Sequence, residues 1–327
     1  MKAIVTGSNG FVGTHVVKTL QDKGFDITCL VRFPKKQKDS DDISYNCINY
    51  HDTKTLNCLD IFKIADYVFH IAGVTKGITK NDFYKGNATP TKNLLETVKK
   101  TNPNIKRFVL ISSLAATGPA PNLKNPKKEN DENYPIEFYG QSKLEAEKIA
   151  LEYSEDIPIT IIRPSAVYGP KDKDFLNIFK MIKYNINIFH GNKNKYLSTI
   201  YIKDLAQAII DSALSENTIG QIYNITNPKI ISWKEFHESA AKVMLKNPIN
   251  LNIPLASLKI IASAGEIYSK ITKKACIMNK EKIKMAGPDY WTCSHEKALK
   301  DFGFIAKTPL EEGIQKTYLW YKNNSWL

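Results

Sequence analysis

Apolar residues in the first half of the chain fall into short runs separated by helical patterns. Five runs are predicted to be strands: KAIVTG (2–7), DITCLVR (26–32), ADYVFHIAG (65–73), KRFVLISS (106–113) and ITIIRPS (159–165). Between the runs, residues 10–24 and 87–100 repeat apolar positions on one face of a helix. Apolar strands that alternate with helices predict an α/β fold with a doubly wound parallel sheet.

The pattern becomes mixed beyond about residue 170. Helices are predicted near 204–215, 233–246 and 309–322, and the polar, Pro/Asn-rich segment 118–135 is predicted to be a surface loop. We therefore expect two domains. The first, over 1–170, contains the sheet, and segments at about 195–225 return to it. The second, over 171–327, is a smaller α/β lobe that binds substrate.

The first predicted strand ends in a glycine turn, TGSNGFVG, with Gly7, Gly10 and Gly13 three residues apart. Backbone N–H groups and the positive end of a helix dipole make such a turn an anion site. The spacing is not the G-x-G-x-x-G of the dinucleotide fingerprint, and a triplet alone also fits a tight turn. Within a strand–helix–strand unit, it indicates a Rossmann-type domain that holds a dinucleotide pyrophosphate.

The end of the second strand bears on which dinucleotide is bound. An acidic residue there holds a ribose 2′-hydroxyl, whereas an arginine accommodates a 2′-phosphate. This chain has Arg32, followed by Lys35 and Lys36, and no acid in LVRFPKK. The sequence favours NADP(H) and leaves NAD(H) possible, because Arg32 is also suited to stacking on the adenine.

A tyrosine and a lysine four residues apart, Tyr139 and Lys143, share one face of a predicted helix. A nearby ammonium stabilises a phenolate and lowers its pKa from about 10 toward neutrality, which suits proton transfer. Y-x-x-x-K is common on exposed helices. Here it follows a strand that ends in Ser112 and Ser113 at the sheet edge where ligands bind, so Ser113 is a candidate for the same substrate oxygen.

The ordered motifs resemble the extended short-chain dehydrogenases/reductases of the NAD-dependent epimerase/dehydratase type. The matching stretches are TGSNGFVG, HIAG, NATPTKNLL, LISSLAATG, YGQSK, RPSAVYGP, YIKDLAQAI and KALKDFGF…TPLEEGI. The resemblance implies that Ser113, Tyr139 and Lys143 are catalytic and that Lys143 also binds the nicotinamide ribose. It implies a cofactor site formed, together with Arg32, Tyr139 and Lys143, by Gly7, Asn9, Gly10, Phe11, Val12, Asn49, Tyr50, Ile71, Ala72, Gly73, Asn87, Pro164, Ala166 and Val167.

Departures from the family pattern reduce the number of reaction types that we expect. Leu114-Ala115 replaces the Asp-Glu pair of sugar dehydratases, and Leu197 stands at or near a diphosphate-binding arginine of sugar-nucleotide epimerases. Asn49-Tyr50 stands in place of Asp-Leu beside the adenine. These departures favour the branch of the family that resembles 3β-hydroxysteroid dehydrogenases and dihydroflavonol-type reductases.

This resemblance implies an NAD(P)-dependent oxidoreductase that exchanges a hydride with a ring ketone or alcohol of a small, apolar substrate. Tyr139 would act as general acid/base, and Thr75, Leu114 and Ala115 would contact the substrate. The apolar segment 253–271 fits a pocket wall and fits the packing of the small lobe equally well. Two alternatives remain: a nucleotide-sugar epimerase with tightly bound NAD, and a dinucleotide sensor without catalysis.

Charge and cysteine content limit the partners and the compartment. The chain has 46 Lys+Arg and 33 Asp+Glu, a net charge of +13, but no long basic block, so no nucleic-acid partner is expected. Contact with a membrane surface is a further possibility. Five scattered cysteines predict reduced thiols in a cytoplasmic protein and no metal site. Met1-Lys2 leads directly into an apolar strand, so no signal peptide is expected. Lys259 and Glu266 interrupt 253–271, so no stable membrane insertion is expected. The family resemblance implies a homodimer through helices near 88–100 and 140–154.

Overall fold

The computed structural model describes residues 1–32, 41–57, 59–191, 195–254, 256–257 and 280–327. Its strands are β1 (Lys2–Thr6), β2 (Asp26–Val31), β3 (Ile43–Cys47), β4 (Tyr67–His70), β5 (Arg107–Ile111), β6 (Ile159–Pro164), β7 (Ala166–Tyr168), β8 (Ile186–His190), β9 (Tyr196–Leu197), β10 (Thr199–Tyr201), β11 (Gln221–Ile225), β12 (Ile231–Ser232), β13 (Ile249–Ile253) and β14 (Tyr290–Trp291). Its α-helices are α1 (Phe11–Asp22), α2 (Thr53–Asn57), α3 (Ile61–Ile64), α4 (Lys80–Thr101), α5 (Phe138–Glu152), α6 (Leu176–Lys183), α7 (Ile202–Leu214), α8 (Trp233–Val243), α9 (Lys280–Ala286), α10 (Glu296–Phe302) and α11 (Leu310–Asn323).

Seven parallel strands form the central sheet, in the order β11-β6-β5-β4-β1-β2-β3. Alternate residues of each strand face opposite layers of helices. In β5, Phe108 and Leu110 pack into a cluster with side chains of α4 and α5, whereas Val109 and Ile111 pack into a cluster with side chains of α1 and α7. The predicted doubly wound α/β fold is confirmed.

The two edges of the sheet were not predicted as strands. The first edge, β3, has the sequence ISYNC, in which four residues are half-buried and the last is exposed. It lacks the apolar run that marks an inner strand, because only one of its sides is paired. The other edge, β11, comes from residues 221–225, within the stretch expected to return to the first domain. The exact domain limits stay a prediction.

Among the described residues, three small sheets, β10-β7, β12-β9-β14 and β13-β8, form from β7 onward, and the three predicted helices lie in the same part of the chain. The helices are α7, α8 and α11, and each lies within a few residues of its predicted limits. No helix in the described ranges is both long and apolar enough to cross a membrane. Lys35, Lys36 and most of the apolar segment 253–271 lie outside the described residues.

Candidate cofactor and catalytic site

The glycine turn lies between β1 and α1 and requires small residues. Gly7 has φ +69°, which L side chains rarely adopt, and a Cβ there would lie 2.7 Å from the Ala72 backbone nitrogen. A Cβ on Gly13 would lie 2.1 Å from the Gly7 carbonyl oxygen. The turn therefore allows two backbone segments and the start of a helix to approach closely, beside the end of β4.

The turn also has features that fit a dinucleotide. Gly10, the residue that caps α1, supplies no side-chain hydrogen bond, and the first turn of α1 has no acidic side chain. The backbone N–H groups at the helix start therefore suit a pyrophosphate. The amide oxygen of Asn9 is buried and has no hydrogen-bond partner among the described residues. A buried acceptor of this kind needs a donor, and a ribose hydroxyl is one.

Arg32 follows β2 and is exposed, as expected for a residue that meets a cofactor phosphate. Burial raises the pKa of the nearby Tyr50 hydroxyl, and the charge of Arg32 acts in the opposite direction. Tyr50 is buried and donates a hydrogen bond of 2.9 Å to the Leu30 carbonyl. Asn49 is exposed, and its Oδ1 accepts from the His51 amide at 3.0 Å. Arg32 and Asn49, rather than Tyr50, present accessible polar groups at this edge.

The loop after β4 meets α4 and α5 at one glycine. A Cβ on Gly73 would lie 2.7 Å from Asn87 Oδ1 and 3.6 Å from Lys143 Nζ. The Asn87 side chain accepts from the Val74 amide at 2.8 Å and donates to Ser142 Oγ at 2.8 Å. The predicted cleft residues Gly73 and Asn87 are thus brought together with Lys143.

A directional chain of hydrogen bonds, absent from the sequence interpretation, supports this loop. Thr6 Oγ1 accepts from the amides of residues 71 and 72, at 3.0 Å each, so its own proton is free for His70 Nδ1 at 2.8 Å. His70 Nε2 then donates to Thr91 Oγ1 at 3.0 Å, and Thr91 donates to the Asn87 carbonyl at 2.8 Å. These hydrogen bonds assign the proton of the imidazole to Nε2, and they connect β1, β4 and α4.

Stability should fall with acidification through His70. Burial lowers its pKa to about 3, and the charge of Lys143 adds to this effect. In the unfolded chain the histidine has a pKa of about 6.5, so it binds a proton below pH 6.5. In the folded chain the buried His70 stays neutral over the same range, and this difference favours the unfolded state as the pH falls. Between pH 6.5 and 3 we expect His70 to reduce the free energy of unfolding by up to about 1.4 kcal/mol per pH unit.

Urea unfolding of wild type and His70→Gln at a series of pH values measures this contribution. The difference in stability between the two proteins should shrink as the pH falls below 6.5, because other groups act alike in both. The more exposed His51→Gln is the control and should show no such trend. A constant difference across the range would contradict a neutral, buried His70.

The start of α5 places Tyr139. The carboxylate of Glu137 caps this helix and accepts from the Tyr139 amide at 2.6 Å and from the Gly140 amide at 2.7 Å. A Cβ on Gly140 would lie 2.2 Å from the Ala115 carbonyl, so α5 rests directly on the turn after β5. Tyr139 is therefore held one turn from Lys143 and beside Ser113.

Protonation in this site differs from the sequence expectation. Burial raises the pKa of Tyr139 to about 12, while a hydrogen bond to the Ser113 side chain acts in the opposite direction. Burial lowers the pKa of Lys143 to about 8, and Glu147 raises it. Lys143 Nζ donates to the Ile111 carbonyl at 2.6 Å. The expected lowering of the tyrosine pKa toward neutrality is therefore wrong for this structure, because burial outweighs the effect of neighbouring groups.

A buried ion pair lies one helical turn beyond Lys143. Glu147 accepts from Arg163 Nε at 2.9 Å and from Arg163 Nη2 at 2.6 Å, and both side chains are 1% exposed. Ser112 also donates to Glu147 Oε1. The sequence interpretation missed this group, although Tyr139, Lys143 and Glu147 follow one another at i, i+4 spacing on α5.

The other predicted residues differ in accessibility. Pro164 is buried, whereas Ala166 and Val167 are half-buried in β7. Thr75 is exposed. Leu114 and Ala115, expected to contact substrate, are each 5% exposed in a short 3₁₀ turn. Within the described part of the chain, no group of three or more His, Cys, Asp or Glu side chains is placed to hold a metal ion.

Sequence comparison supplies the family. The sequence model of the NAD dependent epimerase/dehydratase family matches residues 3–226. The chain belongs to this family. The match spans the central sheet, the glycine turn, and the Ser113, Tyr139 and Lys143 group, so the expected resemblance is confirmed.

Proteins similar to the chain have names that indicate different substrates. Ceramide reductase of Caulobacter vibrioides is 24% identical and covers 99% of this chain and 95% of its own length. UDP-glucose 4-epimerase of Vibrio cholerae is 26% identical, with 96% and 93% covered. The structure of MoeE5 with UDP-glucuronic acid and NAD superposes with TM-score 0.77 at 21% identity, covering 99% of this chain and all of its own. This structural likeness supports the fold.

Proposed function

We propose that the protein is an NAD(P)-dependent oxidoreductase that interconverts a ring ketone and alcohol on a small, apolar substrate. The observation that carries the proposal is the Tyr139 hydroxyl, which is next to Ser113, one helical turn from Lys143 and protonated at neutral pH. A group of this kind donates a proton to a carbonyl oxygen while carbon gains a hydride.

Each side chain of the site has a separate task. Ser113 Oγ accepts from the Ala115 amide at 3.1 Å and hydrogen-bonds the Tyr139 hydroxyl, and a substrate oxygen that enters between the two side chains would take the place of that bond. Tyr139 donates the proton that the reduced oxygen keeps. Lys143, one helical turn after Tyr139 on α5, adds positive charge to the site, and its Nζ lies next to Gly73 at the cofactor cleft. A bound nicotinamide dinucleotide supplies hydride exchange.

The residues at two positions support an apolar substrate, because they lack the polar groups that would bind or transform a sugar nucleotide. Leu197 is 1% exposed within β9, so it offers neither charge nor accessible surface to a diphosphate. Leu114 and Ala115 supply no acid or base for dehydration. The similarity to a ceramide reductase along nearly the whole chain favours a lipid-like substrate. The segment 253–271 stays a proposed pocket wall.

Cofactor choice, assembly and compartment belong to the same proposal. The exposed Arg32 supports NADP(H), and the glycine turn accommodates NAD(H) as well. A homodimer through α4 and α5 and a cytoplasmic location follow from the sequence interpretation. The proposed division assigns cofactor to the sheet domain and substrate to the C-terminal lobe.

Calorimetric titration of cofactor-free protein with NADPH and NADH tests this function. We expect NADPH to bind more tightly, and Arg32→Ala to weaken NADPH binding by roughly tenfold or more because a charge-assisted contact is lost. NADH binding should change little in that variant. Lys124→Ala, an exposed lysine in the loop 118–135, is the control. Equal affinities for the two cofactors in wild type would contradict the assignment of Arg32.

The alternative is a nucleotide-sugar epimerase with retained NAD. The likeness to MoeE5, which was solved with UDP-glucuronic acid and NAD, favours it. It predicts that purified protein carries NAD and that a UDP-sugar raises its melting temperature. Those two results together would replace the reductase proposal.

A further inference from the structure

One small sheet has a face that is apolar along its length. Strands β8 and β13 pair in parallel, with Ile249 beside Ile186 and Leu251 beside Ile188. Residues paired in register point to the same side of a sheet, and side chains alternate along each strand. Ile186, Ile188, Ile249, Leu251 and Ile253 therefore share one face.

This face points away from the protein interior. On the opposite side of β8, Asn187 and Phe189 are 2% and 6% exposed and pack against His237 of α8. On the apolar side, Ile249 is 70% exposed and Leu251 is 47% exposed. Contiguous exposed apolar surface of this kind marks a binding surface more often than chance.

Two exposed large side chains lie in the segments that lead into the two strands, Tyr184 just before β8 and Leu245 four residues before β13. Tyr184 is 72% exposed and Leu245 is 92% exposed. The Ile249 amide donates to the Asn185 carbonyl at 2.9 Å, and this bond joins the segment before β8 to the start of β13. Leu245 has φ +54°, a left-handed conformation that a branched apolar residue rarely adopts. Leu245 follows the end of α8, where a left-handed residue closes the helix, and glycine or asparagine is usual at that position, so an exposed leucine there costs stability without a local benefit.

Lysines stand beside both projecting side chains. Lys183 precedes Tyr184 and Lys246 follows Leu245. Both lysines are exposed, and neither has an ion pair with a described residue. We call Tyr184, Ile186, Leu245, Ile249 and Leu251, together with these two lysines, the basic–apolar patch.

We propose that the basic–apolar patch binds the surface of an anionic phospholipid bilayer. Leucine and isoleucine side chains enter the outer acyl region, tyrosine lies at headgroup depth, and lysines reach the phosphates. A net charge of +13 attracts the whole chain to such a surface. A symmetric contact between two copies is disfavoured, because it would bring the lysines of both copies together. This binding is peripheral and does not depend on the proposed reaction.

Vesicle sedimentation of the full chain tests the proposal. We expect the protein to sediment with phosphatidylcholine vesicles that contain phosphatidylglycerol at low salt. High salt should reduce the bound fraction because it screens the lysines, and vesicles of phosphatidylcholine alone should bind less. A wild-type protein that stays in the supernatant with anionic vesicles at low salt would overturn the proposal.

Variants separate binding from folding. Leu245→Asn removes the apolar side chain and places a residue that tolerates the left-handed conformation, so thermal stability should hold or rise. Its bilayer partition coefficient should fall about tenfold. The double change Lys183→Gln and Lys246→Gln should lower it roughly thirtyfold. Ile64→Asn, at a side chain 56% exposed on the sheet domain, is the control for Leu245→Asn, and the double change Lys124→Gln and Lys300→Gln is the control for the lysine pair. Both controls should bind much more like wild type than the patch variants do.

Two outcomes would contradict the assignment of this patch. The first is equal loss of binding in the patch variants and in the matched controls, which would indicate attraction by net charge alone. The second comes from analytical ultracentrifugation without vesicles. If wild type is a dimer and Leu245→Asn is a monomer, the patch is covered by a second copy of the chain.

Discussion

Replacing Tyr139 by Phe should reduce turnover by about 10²- to 10⁴-fold, the range that general acid catalysis supplies. The variant lacks the hydroxyl that donates the proton but keeps the ring that packs at the start of α5. Cofactor affinity should stay within a few-fold of wild type, because the glycine turn, Asn9 and Arg32 are unchanged. Steady-state kinetics and calorimetric cofactor titration measure the two effects.

Tyr134→Phe is the matched control, since Tyr134 lies five residues earlier and is 61% exposed. It should retain full turnover. Undiminished turnover in Tyr139→Phe would refute its role as the acid. A protein without measurable turnover that binds cofactor in both forms would instead support a dinucleotide sensor, the alternative that needs no proton donor.

Replacing Glu147 by Gln should lower the free energy of unfolding by about 3 kcal/mol. The change keeps the size of the side chain but leaves the Arg163 guanidinium, 1% exposed, without its counter-charge. Denaturant unfolding measures the loss. Glu152→Gln, on the same helix at an exposed position, should change stability by less than about 0.5 kcal/mol.

A second measurement distinguishes this effect from simple destabilisation. Glu147 raises the pKa of Lys143 in the wild type, where burial holds it to about 8. Without that carboxylate, Lys143 should lose its proton at lower pH. The alkaline limb of the pH–turnover profile should then move to lower pH in the folded variant. An unmoved limb would show that Glu147 stabilises the fold without tuning Lys143.

Local pattern determined much of the fold and the main catalytic candidates. The inner strands are apolar throughout because helices cover both of their faces, so their runs are visible in the sequence. Gly7 and Gly13 are needed where backbones approach closely, so the glycine spacing of this turn is also visible in the sequence. The spacing of Tyr139 and Lys143 places both on one face of α5, since helical geometry depends only on positions along the chain.

Tertiary structure alone decided the protonation of the site and its supporting contacts. The pairing of Glu147 with Arg163 and of Thr6 with His70 joins residues on different elements, which no local period reveals. The Tyr139 pKa of about 12 arises mainly from burial, which depends on how whole layers pack. The sequence therefore determined which groups are present at this sheet edge. Packing determined which of them carry a proton, because desolvation is a property of the assembled fold.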